Sequence, residues 1–162
     1  MTDLTVRRAR PEEYAEVGEL TVAAYRALFE LGNYEPHLRD VAGRAAESEV
    51  LVAVDGSGRL VGAVTFAPYG SSLAEQSEPG DAVFRMLAVA PEARGRGAGS
   101  ALVQACIGRA RSLGLDRLRL STQPFMYDAH RLYERLGFTR TPTRDWSPEA
   151  GVDLITYALE LS

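Results

Sequence analysis

Lysine is missing from this chain: all 18 of its Lys and Arg positions are arginine. That excludes a Walker-type phosphate loop, whose lysine holds the phosphates, and it excludes Schiff-base chemistry. The same composition is what a GC-rich bacterial gene encodes. Cysteine is nearly missing too. With Cys106 alone, no internal disulfide can form, and a reducing, cytoplasmic home is the expectation. No apolar run approaches the roughly 18 residues that a membrane helix needs. The segment Met1–Arg10 lacks the apolar stretch of a secretory signal, so neither membrane insertion nor export is expected. A formal net charge of −4 leaves no basic surface for generic nucleic-acid binding. No His, Cys, Asp or Glu cluster has metal-ligand spacing, and no metal is expected.

What is present fits one ordinary domain over residues 1–162, with 46% apolar and 25% charged residues. Leu4–Ala9 alternates as a strand. A helix should follow from Pro11 to Phe29 along Val17, Leu20, Ala24 and Leu28, ended by Gly32. A second helix is expected over Glu35–Glu47. Val50–Val54 and Leu60–Phe66 flank Asp55-Gly56-Ser57-Gly58, which has the chemistry of a hairpin turn. Pro68–Gly80 is polar and acidic and reads as a loop.

Ala82–Ala90 returns to a strand. A helix from Gly97 should bury Val103, Cys106, Ile107, Ala110 and Leu113, with Gly114 closing it. A strand at Arg117–Ser121, a helix at Tyr127–Leu136 and closing strands at Phe138–Arg140 and Leu154–Leu161 complete the pattern. Strands and helices alternate only in the middle, with hairpins outside it. That predicts a mixed, mostly antiparallel sheet of about six to seven strands with about four helices over both faces.

The densest local signal is Val89-Ala90-Pro91-Glu92-Ala93-Arg94-Gly95-Arg96-Gly97-Ala98-Gly99-Ser100. A strand enters a turn rich in glycine and arginine, and a helix starts directly after it. Glycines let the backbone approach closely, and the first N–H groups of the helix lack internal partners. The helix dipole favours negative charge at the same place. Arg94 and Arg96 add donors suited to phosphate oxygens. The plain alternative is a strand-to-helix connection with its arginines in solvent. A dinucleotide fingerprint is excluded, because Gly95, Gly97 and Gly99 lack the G-x-G-x-x-G spacing and Asp116 lies at the wrong end of the next strand.

Leu87-Ala-Val-Ala-Pro-Glu-Ala-Arg-Gly-Arg-Gly-Ala-Gly resembles the pyrophosphate motif of the GNAT superfamily of acyl-CoA-dependent N-acetyltransferases. Arg94, Gly97 and Gly99 fall on its defined positions. Downstream, Ala129-His130-Arg131-Leu132-Tyr133-Glu134-Arg135-Leu136-Gly137-Phe138 resembles the family's late helix, with its tyrosine and terminal Gly-Phe. The two motifs stand in the family's order, and the length and element order of the whole chain match as well.

The resemblance implies acetyl-CoA as co-substrate, an amine acceptor and a sheet splayed where the cofactor enters. Backbone groups of the Leu87-Ala88-Val89 strand, at Leu87 and Val89, would pair with the pantetheine arm. The N–H groups of Arg94, Gly95, Arg96, Gly97, Ala98, Gly99 and Ser100 would hold the pyrophosphate. Tyr133 matches the tyrosine that, in many members, protonates the departing thiolate. A phenol is protonated at neutral pH and suited to that role. The same residue also fits simple packing beside Leu132 and Leu136. Where many members carry an asparagine, this chain has Met126, so Thr122 or Gln123 would have to serve the cofactor arm. Homodimers paired at sheet edges are frequent in the family.

No motif fixes a general base. Glu75, Glu78 and Asp81, with Glu35 and His37, are candidates, and each also fits a solvated surface charge. His130 reads as an exposed helix residue or a phosphate contact. Cys106 falls in an apolar helical stripe, which predicts direct transfer without an acyl-enzyme. The acceptor should enter between Phe29–Leu38 and Pro68–Gly80, near Phe29, Tyr34, Tyr69 and Trp146. The acids there favour a cationic acceptor such as a polyamine, an aminoglycoside or a peptide amine. The competing readings are a CoA-binding module without catalysis and transfer from another acyl-CoA or to an alcohol.

Overall fold

The β-branched run of β2 (Glu49–Val54) and the segment β3 (Leu60–Pro68) pair antiparallel through the Asp55–Gly58 turn. Asp55 shapes that turn: its Oδ1 accepts from the N–H groups of Ser57 and Arg59 at 2.9 and 3.0 Å. Around this hairpin a computed structural model describes residues 3–161. Met1 and Thr2 of the charged N-terminal segment, and Ser162, lie outside the described residues. β1 (Thr5–Arg8) pairs with the outer edge of β2, and β4 (Asp81–Val89) with the inner edge of β3. β5 (Arg117–Thr122), β8 (Val152–Glu160) and the short β6 (Thr139–Arg140) extend the sheet, while β7 (Trp146–Glu149) forms a hairpin with β8. Only β4 and β5 run parallel.

Five α-helices cover the two faces. α1 (Tyr14–Arg26), α2 (Glu35–Arg39) and α3 (Val41–Glu47) lie on one face, where Val17 and Val41 bury against Val50, Val52 and Ala63. α4 (Ala98–Ser112) and α5 (Tyr127–Arg135) lie on the other. Leu102, Val103, Cys106, Ile107 and Ala110 form the apolar stripe of α4, packed on Val61, Val64, Phe66 and Phe84. α4 comes so close to β3 that a Cβ at Gly62 would stand 2.9 Å from Leu102 Cδ1.

The sheet opens in its middle. β4 and β5 pair only over Asp81–Val83 with Arg117–Arg119; past that point β4 follows β3 and β5 follows β8. The closed end of the fork is pinned by buried charge. Arg119 Nε donates to Asp81 Oδ2 at 2.6 Å, and Arg117 Nη1 to Oδ1 at 3.1 Å. On the open side β4 carries a bulge. Thr65 faces Arg85 while Ala63 faces Ala88, so β4 holds one extra residue, and Met86 takes φ +58° there.

Several expected boundaries move. The first helix ends at Arg26, and Leu28 is exposed. The expected 35–47 helix is two helices, because Asp40 leaves helical geometry and its carboxylate caps α3 at the Gly43 N–H. Leu113 is 44% exposed, since α4 ends one residue before it. The described residues form eight strands rather than six to seven, and five α-helices rather than about four. The extra strand, β7, contains Pro148, which argues against a strand in the bare sequence.

Candidate functional site

The turn after β4 has the features of an anion cradle. Pro91–Ala93 forms one 3₁₀ turn, and α4 begins at Ala98 with Ala101 N–H donating to Gly97 O. Between them, the N–H groups from Gly95 to Ser100 have no backbone partner among the described residues, whereas that of Arg94, expected in the same set, turns back to Pro91 O at 3.4 Å. Gly95 and Gly97 take φ values of +83° and +82°, which favour glycine and turn successive N–H groups toward one side. Open space surrounds both positions, so side chains of the fold do not fill the cradle. Arg94 is exposed beside it, and Arg96 makes only a loose 3.6 Å contact with Asp55. The donor set fits a pyrophosphate.

The edge of β4 next to this turn is also unpaired. Ala90 N–H donates to Val61 O on β3 at 2.9 Å. Because successive residues of a strand aim their polar groups at opposite edges, Ala88 shares that side. Leu87 and Val89 then aim theirs into the fork, where β5 has no pairing residue. Leu87, Val89 and Leu132 pack against the main core. Leu132 Cδ2 lies 3.4 Å from where a Gly99 Cβ would be, so α5 adjoins the start of α4.

Tyr133 follows Leu132 on α5. Its ring meets Phe84, Phe138 and Tyr157 at centroid distances of 5.7, 6.1 and 5.9 Å, and the residue is 5% exposed. Burial pushes its phenol well above the ordinary value, with smaller pushes from Tyr157 and Cys106. The group therefore stays protonated far into alkaline solution. Cys106 is fully buried in α4, and the same desolvation raises its thiol, so the thiolate form is suppressed.

The expected acids and His130 fall elsewhere. Asp81 is not a solvated charge: it is 0% exposed and fixed by Arg117 and Arg119. Glu78 pairs with Arg144 at 3.0 Å, and Glu35 with Arg26 at 2.5 Å and Arg39 at 3.1 Å. Glu75 and His37 are exposed. His130 is buried rather than exposed; its ring stands 5.7 Å from Tyr157, and Nε2 lies 3.0 Å from Gln123 O. Trp146 donates to Ser121 Oγ at 2.9 Å, and Tyr69 is exposed.

Phe29 and Tyr34 do come together, with help from residues that no sequence motif marked. Tyr25 stands 6.1 Å from Phe29 and 6.2 Å from Tyr34, and Phe29 reaches Phe125 at 5.8 Å across the open end of the fork. The Tyr25 phenol is also raised by burial, and the other groups acting on it are Tyr34, Tyr133, Arg85 and Arg44.

A forked mixed sheet, an open turn of unpaired N–H groups at the start of α4 and a buried tyrosine on α5 thus stand together in one fold. The pattern of the Acetyltransferase (GNAT) family matches residues 14–138, and the chain belongs to that family. A mycothiol acetyltransferase from Pseudarthrobacter chlorophenolicus is 36% identical over 137 residues, covering 85% of this chain and 38% of that protein. One from Arthrobacter sp. is 36% identical over 131 residues, covering 75% of this chain and 39% of that protein. The chain thus spans well under half the length of these curated relatives.

Among solved structures, a GNAT protein from Desulfovibrio desulfuricans aligns with a TM-score of 0.78 at 22% identity, covering 98% of this chain and 99% of that one. An acetyltransferase from Salmonella typhimurium, solved with acetyl-CoA, aligns with a TM-score of 0.71 at 22% identity, covering 98% of this chain and 94% of that one. At these identities the alignments establish the fold. No helix among the described residues is long and apolar enough to cross a membrane.

Proposed function

We propose that this protein transfers an acetyl group from acetyl-CoA to a primary amine by direct attack. Two neighbouring sets of unpaired backbone groups carry the proposal, the β4 edge at Leu87 and Val89 and the N–H groups of Gly95–Ser100. Those residues would hold the pantetheine arm and the pyrophosphate, with Arg94 and Arg96 adding charge. Acetyl-CoA supplies an activated thioester whose carbonyl carbon accepts the amine. Outward-facing N–H groups of β4 would polarise that carbonyl.

Tyr133 would donate its proton to the sulfur as the carbon–sulfur bond breaks. Its buried phenol is kept protonated, which suits an acid and not a base. The buried, neutral Cys106 suits direct transfer rather than an acyl-enzyme. An alkyl ammonium must lose a proton before it attacks. With Asp81, Glu78 and Glu35 held in ion pairs, the free amine itself would be the reacting form, and the proton its nitrogen sheds on becoming an amide would restore the Tyr133 phenol, directly or through solvent.

Release of CoA from acetyl-CoA on addition of a panel of primary amines tests the reading. Amine-dependent release is expected. Acetyl-CoA binding with no release from any amine would leave a binding module in its place.

A further inference from the structure

We infer that the acceptor carries a carboxylate, and that Arg85 on β4 binds it in a pocket closed by Tyr34, Tyr25 and Arg44. This deepens the proposed transfer and rests on it. Thr65 on β3 and Arg85 on β4 are register partners, so their side chains share the face under α1 and α2. Arg44, on α3, reaches the same spot. Its Nε donates to Thr65 Oγ1 at 3.2 Å, and its Nη1 donates to the carbonyls of His37 and Leu38 at 2.7 and 3.0 Å. Two guanidinium groups therefore adjoin across Thr65.

Neither has a carboxylate partner among the described residues, although most arginines of this chain do. Arg44 is 5% exposed, and the one carboxylate acting on it, Asp40, is engaged in capping α3. Among the described residues, the one hydrogen-bond partner of the Arg85 side chain is the Tyr34 hydroxyl, at 3.5 Å from Nη2. Two neighbouring cations, one of them buried, repel each other unless an anion joins them. Arg85 retains a planar fork of donors, and the Tyr25 hydroxyl makes no hydrogen bond among the described residues. A carboxylate accepts from a fork and a phenol together.

The position agrees with the chemistry. Arg85 precedes the Met86 bulge, and Leu87 after it presents its backbone to the fork. Phe84, the residue before Arg85 on β4, packs its ring 5.7 Å from that of Tyr133. A carboxylate held at Arg85 would therefore anchor an acceptor whose amine lies toward Tyr133, against the wall of Phe29, Tyr34 and Phe125. Of the acids expected to attract a cationic acceptor, Glu78 and Asp81 are already paired and Glu75 is exposed.

Product-side binding separates this inference from the transfer itself. Calorimetry in saturating CoA would compare N-acetyl amino acids of varied side chain with their carboxamides, on wild type, Arg85→Gln and Arg85→Lys. The best acid should bind at least about tenfold more tightly than its carboxamide. Arg85→Gln should erase that preference and Arg85→Lys keep part of it, with acetyl-CoA affinity unchanged in both. Equal binding of acids and carboxamides, binding of neither, or a preference that survives Arg85→Gln would each overturn the inference. CoA release from uncharged amines without any acid preference would remove the carboxylate site and leave the transfer. An acid preference without CoA release from any amine would do the reverse.

Discussion

Arg119 donates from Nε to the fully buried Asp81 carboxylate at 2.6 Å, and the pair sits where β4 and β5 are still joined. Arg117 binds the other oxygen of the same carboxylate at 3.1 Å. The fork thus hinges on a charged clamp. Removing Asp81 would leave the buried Arg119 with only a loose 3.7 Å contact to Glu78. Asp81→Ala should cost roughly 3 kcal/mol of stability, measured by urea unfolding. A loss under roughly 1 kcal/mol would mean that the clamp contributes no more than an exposed pair.

Near the N-terminus a second carboxylate gives stability a pH dependence. Glu13 accepts from Arg7 at 2.8 and 2.9 Å and from the Arg10 N–H at 2.8 Å. The Arg7 guanidinium holds its carboxyl at about 2 rather than the ordinary 4.5. The folded value is depressed, so the contribution is fully present above the ordinary value and disappears as pH falls toward 2. Glu13→Gln should lower stability by about 1 kcal/mol at neutral pH. The gap between wild type and variant should close in acid unfolding series.

Tyr133→Phe removes only the phenolic oxygen from a ring packed on Phe84, Phe138 and Tyr157. If proton donation limits the reaction, kcat should fall by roughly 10²-fold, with acetyl-CoA affinity unchanged. Because burial raises the phenol, the wild-type kcat profile should show no descending limb from Tyr133 across neutral and mildly alkaline pH. An unchanged kcat in the variant would remove Tyr133 from the chemistry.

Much of the frame was legible because it rests on local chemistry. The Asp55–Gly58 hairpin, the apolar stripe of α4 and the glycine turn at Arg94–Ser100 each lie within one short segment. The acceptor wall was only half legible. Phe29 and Tyr34 stand out as aromatic residues in an early loop, but Tyr25, Arg44, Arg85 and Phe125 come from α1, α3, β4 and the turn after β5. Only tertiary packing brings them together. The Met86 bulge left no trace either, since a methionine rather than a glycine takes the positive φ. His130 carried the opposite signal: a polar residue between Ala129 and Arg131 reads as exposed, yet Tyr157 and Gln123 enclose it.

Acetyl-CoA binding by calorimetry, on wild type and on Gly97→Trp, tests the central claim most directly. Gly97 borders open space at φ +82°, so an indole there would fill the cradle from outside the core. The left-handed backbone adds a cost of about 1–2 kcal/mol, which thermal melting would register without loss of the fold. Binding by wild type that is lost in a folded Gly97→Trp is the predicted result. A wild type that ignores acetyl-CoA, or a variant that binds it equally well, would contradict the assignment of the cradle.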